Sequence, residues 1–541
     1  MSAVGAGISG RAVEGLSRTG RMGLGSGERL IEASPATLTQ NVNRLRTDAG
    51  THVLFLDMKE VKELNGVIQS VVEAKKHPLN PVLPLGKLNE FDSMRASPWA
   101  GRTVIYDREE RLFKAWYSGM DFRGGEGHQM GYAISEDGVR WGKPRLGICE
   151  YNGNKDNNIF LQGLGCVIKD PTESSPAKRY KGLFKIGSPN TRMAYSADGA
   201  HWDTSTALDM NSMIDKKSLG WKGRFQTPCT FLVDEHGVDP KKKYQIFYMT
   251  VHKVNKPGFE DKEWVRTKSM AYGPDELHWT GSAANPVLTP ADGPEIEDHL
   301  LMVFPHRGYY IMLYEFGWYS GNDTGPYGNY CADVRLAVSR DGERYTRILP
   351  YQKVIPRGRQ GEWDDGFLVI ADKPAIKDHQ VHLYYAGQDA EYPSVAPDMT
   401  YPVPRGWDRG RPSAMRMSRM GLATLQLDRF TCLKTLDGEL AGSAVTQPFE
   451  VVNASKARLI VNVGDAVPGR SWVDVEVVSP GTGEALPRYG RRDCKHVDRD
   501  GLRLPVRWGD RATLEGLSAQ SVAFKFWIYG DAKLYSFGFE S

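Results

Sequence analysis

The chain has 541 residues, more than one ordinary domain holds, and its 40% hydrophobic and 25% charged residues fit a globular protein. With 69 basic and 66 acidic residues its net charge is +3, which gives no electrostatic case for nucleic acid or an anionic membrane. No stretch approaches the roughly 18–20 apolar residues of a spanning helix, whereas 58 glycines, 24 tyrosines and 13 tryptophans favour turn-rich β structure and aromatic faces that suit sugar rings.

Residues 1–50 read as a flexible or partly helical leader. Gly5, Gly7 and Gly10 spell G-x-G-x-x-G, but no strand precedes them, so a nucleotide loop is not expected. No apolar core of signal-peptide length is present at this end. Cys149, Cys166, Cys229, Cys331, Cys432 and Cys494 are scattered without a C-x-x-C pair. Neither a zinc site nor a dense disulfide framework is expected, and free thiols in the cytoplasm are the default.

From Thr51 onward one signature recurs: an apolar strand, a Ser-x-Asp-Gly-like turn and an aromatic. It reads YAISEDGVRW at Tyr132–Trp141, MAYSADGAHW at Met193–Trp202, MAYGPDELHW at Met270–Trp279 and LAVSRDGERY at Leu336–Tyr345. A degenerate fifth copy, MGLATLQLDRF, starts at Met420. Asp-Gly pairs suit tight turns, and the trailing Trp or Tyr is expected to pack between neighbouring sheets. Each copy follows an aromatic-rich strand (RLFKAWYSG, RYKGLFK, KYQIFYMT, GYYIMLYEF, HQVHLYYAG) and, before that, another strand (RTVIYD, GCVIKD, CTFLVD, LLMVFP, FLVIAD). These are antiparallel meanders of about 60–85 residues, which a propeller uses as blades. Five of them predict a five-bladed β-propeller over 51–435, with Thr51–Asp57 as an outer strand that closes the ring. After Leu436 the repeat stops, and period-two segments such as ARLIVNVGD, SWVDVEVVSP, SVAFKFWIYG and AKLYSFGFE predict a β-sandwich over 436–541. The fold class is therefore all-β.

A propeller binds ligands at one mouth of its channel, where the innermost strands begin. Read for those positions, the blades offer Glu90, Asp92 and Arg95, then Lys169 and Asp170, then Arg224 and Gln226. Blade four offers Glu295, Glu297, Asp298 and His299, and blade five Glu362, Asp364 and Asp365. Carboxylates recur in four of the five, and glycoside hydrolysis needs two, one as acid and one as base or nucleophile. Arg95, Lys169, Arg224 and His299 are positioned to orient them or bind hydroxyls. Trp99, Trp318, Tyr319 and Trp363 are candidates to stack on sugar, and Glu315 is a further acid in the long aromatic loop Tyr314–Tyr330.

These segments resemble the five-bladed propeller glycosidases, the group holding invertase and fructan hydrolases and the arabinanase and xylosidase relatives. AKKHPLNPVLP resembles the lead-in to their first blade, KDPTESSPAKRYK their Arg-Asp-Pro segment, and GEWDDGFLVIADKPAIKDHQVHLYYAG their last blade. AKLYSFGFE resembles the sandwich appended to bacterial members. The resemblance implies Asp92 as base or nucleophile, Asp170 as the residue that steadies the transition state, and Glu297 as general acid, with Asp298 and Glu295 close behind. By their positions around the inner-strand starts, Arg95, Lys169, Arg224, Asp298, His299, Glu315, Trp318, Trp363 and Asp365 are the expected substrate-binding residues. Lys169 stands where the pattern has Arg, and the Asp-Pro-Asn-Gly-type motif of invertases is absent at Asp92.

The expected function is hydrolysis of an oligo- or polysaccharide, furanosides included, with transglycosylation open. The partner is the carbohydrate substrate, with no nucleic acid or membrane. No cofactor or catalytic metal is expected, and a structural calcium ion among the mouth carboxylates is left open. The competing readings are a propeller that binds carbohydrate without catalysis and, ranked third, a sialidase-like enzyme, for which no arginine triad is evident.

Overall fold

Three of the four Ser-x-Asp-Gly-like repeats form the same local structure. The Oγ of Ser135 accepts from the Gly138 amide, and Asp137 Oδ1 accepts from the amides of Val139 and Arg140. Ser196 with Asp198 and Ser339 with Asp341 repeat it. The glycines have φ of 75°, 85° and 77°, a region an L side chain rarely enters. The trailing aromatics tie sheets together. Trp202 packs edge-on against Trp116, whose indole N–H donates to the Gly199 carbonyl at 2.6 Å, and Trp141 packs against Tyr384.

The computed structural model describes residues 45–121, 129–186, 191–220, 223–235, 237, 239–253, 265–290, 295, 299–319, 329–389, 392–393 and 417–541, all within the unit Pro35–Ser541. They are nearly all β. The first antiparallel meander runs Arg95–Asp107, Leu112–Met120, Gln129–Ser135, Ile159–Gln162. The second runs Leu164–Lys169, Tyr180–Lys185, Thr191–Ser196, Asp203–Leu208. The third runs Pro228–Val233, Tyr244–His252, Val265–Gly273, Thr280–Gly281, and the fourth Leu301–His306, Tyr309–Tyr319, Asn329–Ser339, Thr346–Arg347. The fifth takes Phe367–Ile370, Gln380–Gln388 and Ser418–Gln426, and its outer strand is Lys75–Lys76 from before the first meander. The leading strand of each meander packs on that of the next, and the fifth packs back on the first. This is a propeller whose ring is closed by the N-terminal segment.

Arg102 sits on the ring's axis, fully buried. Its guanidinium donates to the carbonyls of Cys229 at 2.8 Å and Ile370 at 2.9 Å, with longer contacts to those of Pro228 and Leu301. One side chain of the first blade thereby satisfies carbonyls of the third, fourth and fifth.

The expected closing strand is a correction: His52–Leu54 pairs instead with Lys533–Glu540 in the sandwich. One sandwich sheet is ordered Gly501–Pro505, Arg458–Gly464, Lys533–Glu540, Thr431–Thr435, Val67–Val71. The other holds Trp472–Val478, Ser521–Tyr529, Ala441–Thr446 and Val61–Asn65. Phe524, Phe526, Phe537 and Phe539 fill the core between them. Four of these strands come from positions before 436, because alternation along a strand shows that it pairs but not with which neighbour.

Candidate active site

The innermost strands Arg95–Asp107 and Leu164–Lys169 run parallel, with Gly165 opposite Gly101. Asp92 precedes the first strand and Asp170 follows the second, so they lie at opposite ends of the channel. Six residues of strand at ~3.3 Å each separate the ends by roughly 17 Å, well beyond the ~5–9.5 Å of catalytic carboxylate pairs. The expected convergence of Asp92 with Asp170 is therefore corrected. Lys169 shares the far end, where its ammonium bonds Asp107 and Glu109, each at 2.8 Å.

Asp170 belongs to a repeated inter-blade clamp. Its carboxylate accepts from Lys181 Nζ at 2.6 Å, from the Tyr244 hydroxyl of the next blade and from Thr172. Tyr180 bonds Asp107 and Tyr310 bonds Asp234 in the same way, one blade back and one blade on. Burial alone would raise the Asp170 carboxyl, but the bonds from Lys181, Tyr244 and Thr172 bring it down to about 2. A carboxylate so neutralised is a fastener, and its strand-end position is what placed it there.

Asp92 is also buried. Its Oδ2 accepts from the Tyr117 hydroxyl at 2.7 Å and Lys143 Nζ at 2.6 Å. Asp364 repeats the arrangement in blade five, with Tyr385 at 2.8 Å and Lys76 at 2.7 Å. In blade four Glu295, fully buried, takes Arg347 at 2.8 Å, and that guanidinium lies over the Tyr314 ring. Three blades thus bury a carboxylate against a cation and place that cation over a tyrosine ring. At Asp92 both bonds fall on Oδ2, which ties the carboxylate to Tyr117 and Lys143.

The carboxyl that stands apart is Glu315. It lies on Tyr309–Tyr319, and its amide donates to the carbonyl of Leu300, next to the start of the blade-four innermost strand. That places it at the mouth where the innermost strands begin. Its side chain is fully buried, and neither carboxyl oxygen has a hydrogen-bond partner among the described residues. Burial pushes it up to about 8, against the pull of Arg102, Lys268 and Arg266. His299 lies beside the same three cations, and burial together with their charge holds its imidazole well below the usual value. An acid that keeps its proton at neutral pH in a polar, cation-lined site is able to deliver it to a leaving group.

Aromatic residues flank this position. Trp99 packs edge-on to His299 with centroids 6.3 Å apart and carries Arg95 over its ring at 5.0 Å. Tyr330 lies 5.7 Å from His299, and Trp318 lies beneath the Arg357 guanidinium at 5.0 Å. Arg224 is exposed and lies near Lys185, whose strand end pairs with the start of the blade-two innermost strand. Trp363 instead stacks on Tyr385, at 5.8 Å, and Asp365 accepts from the Gly361 amide at 2.6 Å within its own turn. Glu297 and Asp298 lie outside the described residues, as do residues 320–328.

Sequence reading missed Arg102, Arg266 and Lys268. The signal was present as basic residues inside otherwise strand-forming segments, GRTVIYD and VRTKSMAYG. Among the described residues no group of three or more His, Cys, Asp or Glu side chains is placed to hold a metal ion, and no helix is long and apolar enough to cross a membrane.

No family profile matches the chain, and no curated protein matches it. Solved structures similar to it include a glycoside hydrolase, at 16% identity and a TM-score of 0.43, covering 68% of this chain and 93% of that one. A glycosyl hydrolase from Bacteroides ovatus is similar at 14% identity and a TM-score of 0.40, over 66% of this chain and 94% of that one. A fructofuranosidase from Schwanniomyces occidentalis complexed with fructosylnystose is similar at 11% identity and a TM-score of 0.38, over 88% of this chain and 100% of that one. These scores are low, and the ring of meanders stands on the chain's own strand pairing.

Proposed function

We propose that the chain is a glycoside hydrolase acting on an oligo- or polysaccharide at the Glu315 end of the propeller. The observation that carries this reading is Glu315 itself: a fully buried carboxyl at the channel mouth, protonated up to about pH 8 and ringed by aromatic and basic side chains. In this reading Glu315 is the general acid in place of Glu297. The second carboxylate is sought in Asp298 and Glu297, which immediately precede His299 in the sequence.

The test is turnover of a panel of furanoside and pyranoside oligosaccharides, read by released reducing ends. Glu315→Gln is expected to lower kcat by about 10²–10⁴-fold on substrates with poor leaving groups and far less on activated aryl glycosides, which leave without protonation. Asp298→Asn or Glu297→Gln, whichever removes the base, is expected to damage both substrate classes alike. Saccharide binding without turnover of any panel member would replace this reading with the non-catalytic binding propeller.

A further inference from the structure

The propeller and the sandwich meet at a buried carboxylate that faces three basic side chains. Asp428 lies in the turn between the blade-five strand Ser418–Gln426 and the sandwich strand Thr431–Thr435. His306 and Arg307 come from the first hairpin of blade four, and His52 from the sandwich strand His52–Leu54. His306 Nε2 lies 2.5 Å from Asp428 Oδ1, and Arg307 donates to both carboxylate oxygens, at 3.4 and 3.2 Å. His52 Nε2 lies 3.5 Å from Asp428 Oδ2 and 3.0 Å from the Ser536 hydroxyl. The side chains of His52 and Asp428 are each 8% exposed. Among the described residues no second carboxylate pairs with His52, His306 or Arg307.

Arg307 carries its charge at every working pH and by itself matches that of Asp428. A proton on His52 adds a cation for which no carboxylate is left, in a site that water barely reaches. Burial accordingly lowers the His52 imidazole from 6.5 to about 3. Asp428 pulls it up, while Arg307, His306 and, from the sandwich strand Gly501–Pro505, Arg503 push it further down. Burial alone would raise Asp428, but the bond from His306 and the charges of His52, His306 and Arg307 hold it well below the usual carboxylate range. The strand that carries His52 is three residues long and pairs with Lys533–Glu540. The side chains that follow alternate between two cores: Val53 and Phe55 pack in that of the sandwich, Leu54 and Leu56 in that of the propeller.

We propose that His52 is an acid-sensitive latch, whose protonation releases residues 52–56 from between the two cores and so loosens the junction of sandwich and propeller in mild acid. The inference is independent of the chemistry at the Glu315 mouth. Its sign follows from the two protonation states. The opened segment takes up a proton at 6.5, and the closed one only near 3. The latch therefore holds fully above pH 6.5. Below it, opening grows by about tenfold for each pH unit, toward pH 3. Asp428 stays ionised across that window, so His52 is the group in the cluster that the burial of charge sets against protonation.

The test is hydrogen exchange of the full chain, read by mass spectrometry at pH 7.5 and pH 5.0 and corrected for the intrinsic rate of each amide. Peptides covering residues 52–56 and 536–538 are expected to exchange at least about tenfold faster at pH 5.0, with the blade-two strand Tyr180–Lys185 unchanged. His52→Gln keeps a polar side chain that does not titrate, and is expected to abolish the acid response. Arg307→Gln frees Asp428 to match a protonated His52. It is expected to weaken the acid response, whereas a cluster that only holds the junction together would open more at both pH values. No acceleration in the parent, or one spread evenly over blades and sandwich, overturns the proposal. So does an acid response in His52→Gln equal to the parent's. Should His52→Gln fail to fold, Arg307→Gln decides alone, and a response as strong as the parent's overturns the latch.

Discussion

Buried charge at the level of single residues separates the cation-paired carboxylates from Glu315. Asp92, Asp364 and Glu295 are each buried against a cation lying over a tyrosine ring, and Asp170 is buried against Lys181. Glu315 is buried without a hydrogen bond among the described residues. Its folded carboxyl titrates at about 8 against an ordinary 4.5. Between those values the folded chain keeps a proton that the unfolded chain has released, so this residue's contribution to stability declines as pH rises through that window. Glu315→Gln removes the titration. Its melting temperature is expected to exceed the parent's above pH 8, with the gap closing toward pH 4.5. Parallel melting curves at every pH would show that Glu315 ionises normally and would remove it as the acid.

Three successive junctions between meanders are made by side chains at the first hairpin. The Asp–Tyr clamps from Asp107 to Tyr180, Asp170 to Tyr244 and Asp234 to Tyr310 link blades one to two, two to three and three to four. Asp170→Asn is expected to lower stability, by less than the ~3–5 kcal/mol of a fully broken buried pair, because the buried Lys181 ammonium keeps Glu173 at 2.8 Å. With its carboxyl lowered from 3.8 to about 2, the parent's contribution from Asp170 is present above pH 4 and lost as pH falls toward 2. Whatever remains folded at neutral pH should keep an unchanged kcat, since Asp170 lies at the far end of the channel. A variant with normal stability but lost turnover would return Asp170 to the catalytic set. The sequence carries a spacing repeat here: Val82, Glu90 and Asp92 recur as Val354, Glu362 and Asp364, and as Val287, Glu295 and Glu297, and the cation-paired carboxylate is its last member in the first two copies and Glu295 in the third. Read as a repeat, that motif marks a blade lead-in before it marks an active site.

For the molecule as a whole, the sandwich and the propeller share the chain's early strands. His52–Leu54, Val61–Asn65, Val67–Val71 and Thr431–Thr435 all pair inside the sandwich sheets. Arg340 of the fourth blade holds Asp57 and Glu60, and Asp428 of the fifth blade accepts from His306 and Arg307. A chain ending at Leu436 would strip Val53, Phe55, Val67 and Leu433 of the core they fill. It is expected to elute as aggregate in gel filtration, although the sandwich supplies none of the mouth residues. A soluble, monomeric 1–436 fragment with full turnover would show the two parts to be independent.

The strand period, the Asp-Gly turns and the aromatic spacing determined by themselves that the chain is all-β, that its main body repeats five times and that a different β unit follows. Those features act within a few residues, where backbone conformation and side-chain alternation are local. Tertiary structure decided which end of each strand faces which mouth, which partner each early strand takes and which carboxylates are neutralised. Asp170 and Asp92 look alike as acids beside strands, yet parallel packing of neighbouring blades sends them to opposite ends. Glu315 sits inside an aromatic strand with no motif around it, and only burial beneath other blades, with no hydrogen-bond donor to it among the described residues, moves its proton into the range of catalysis.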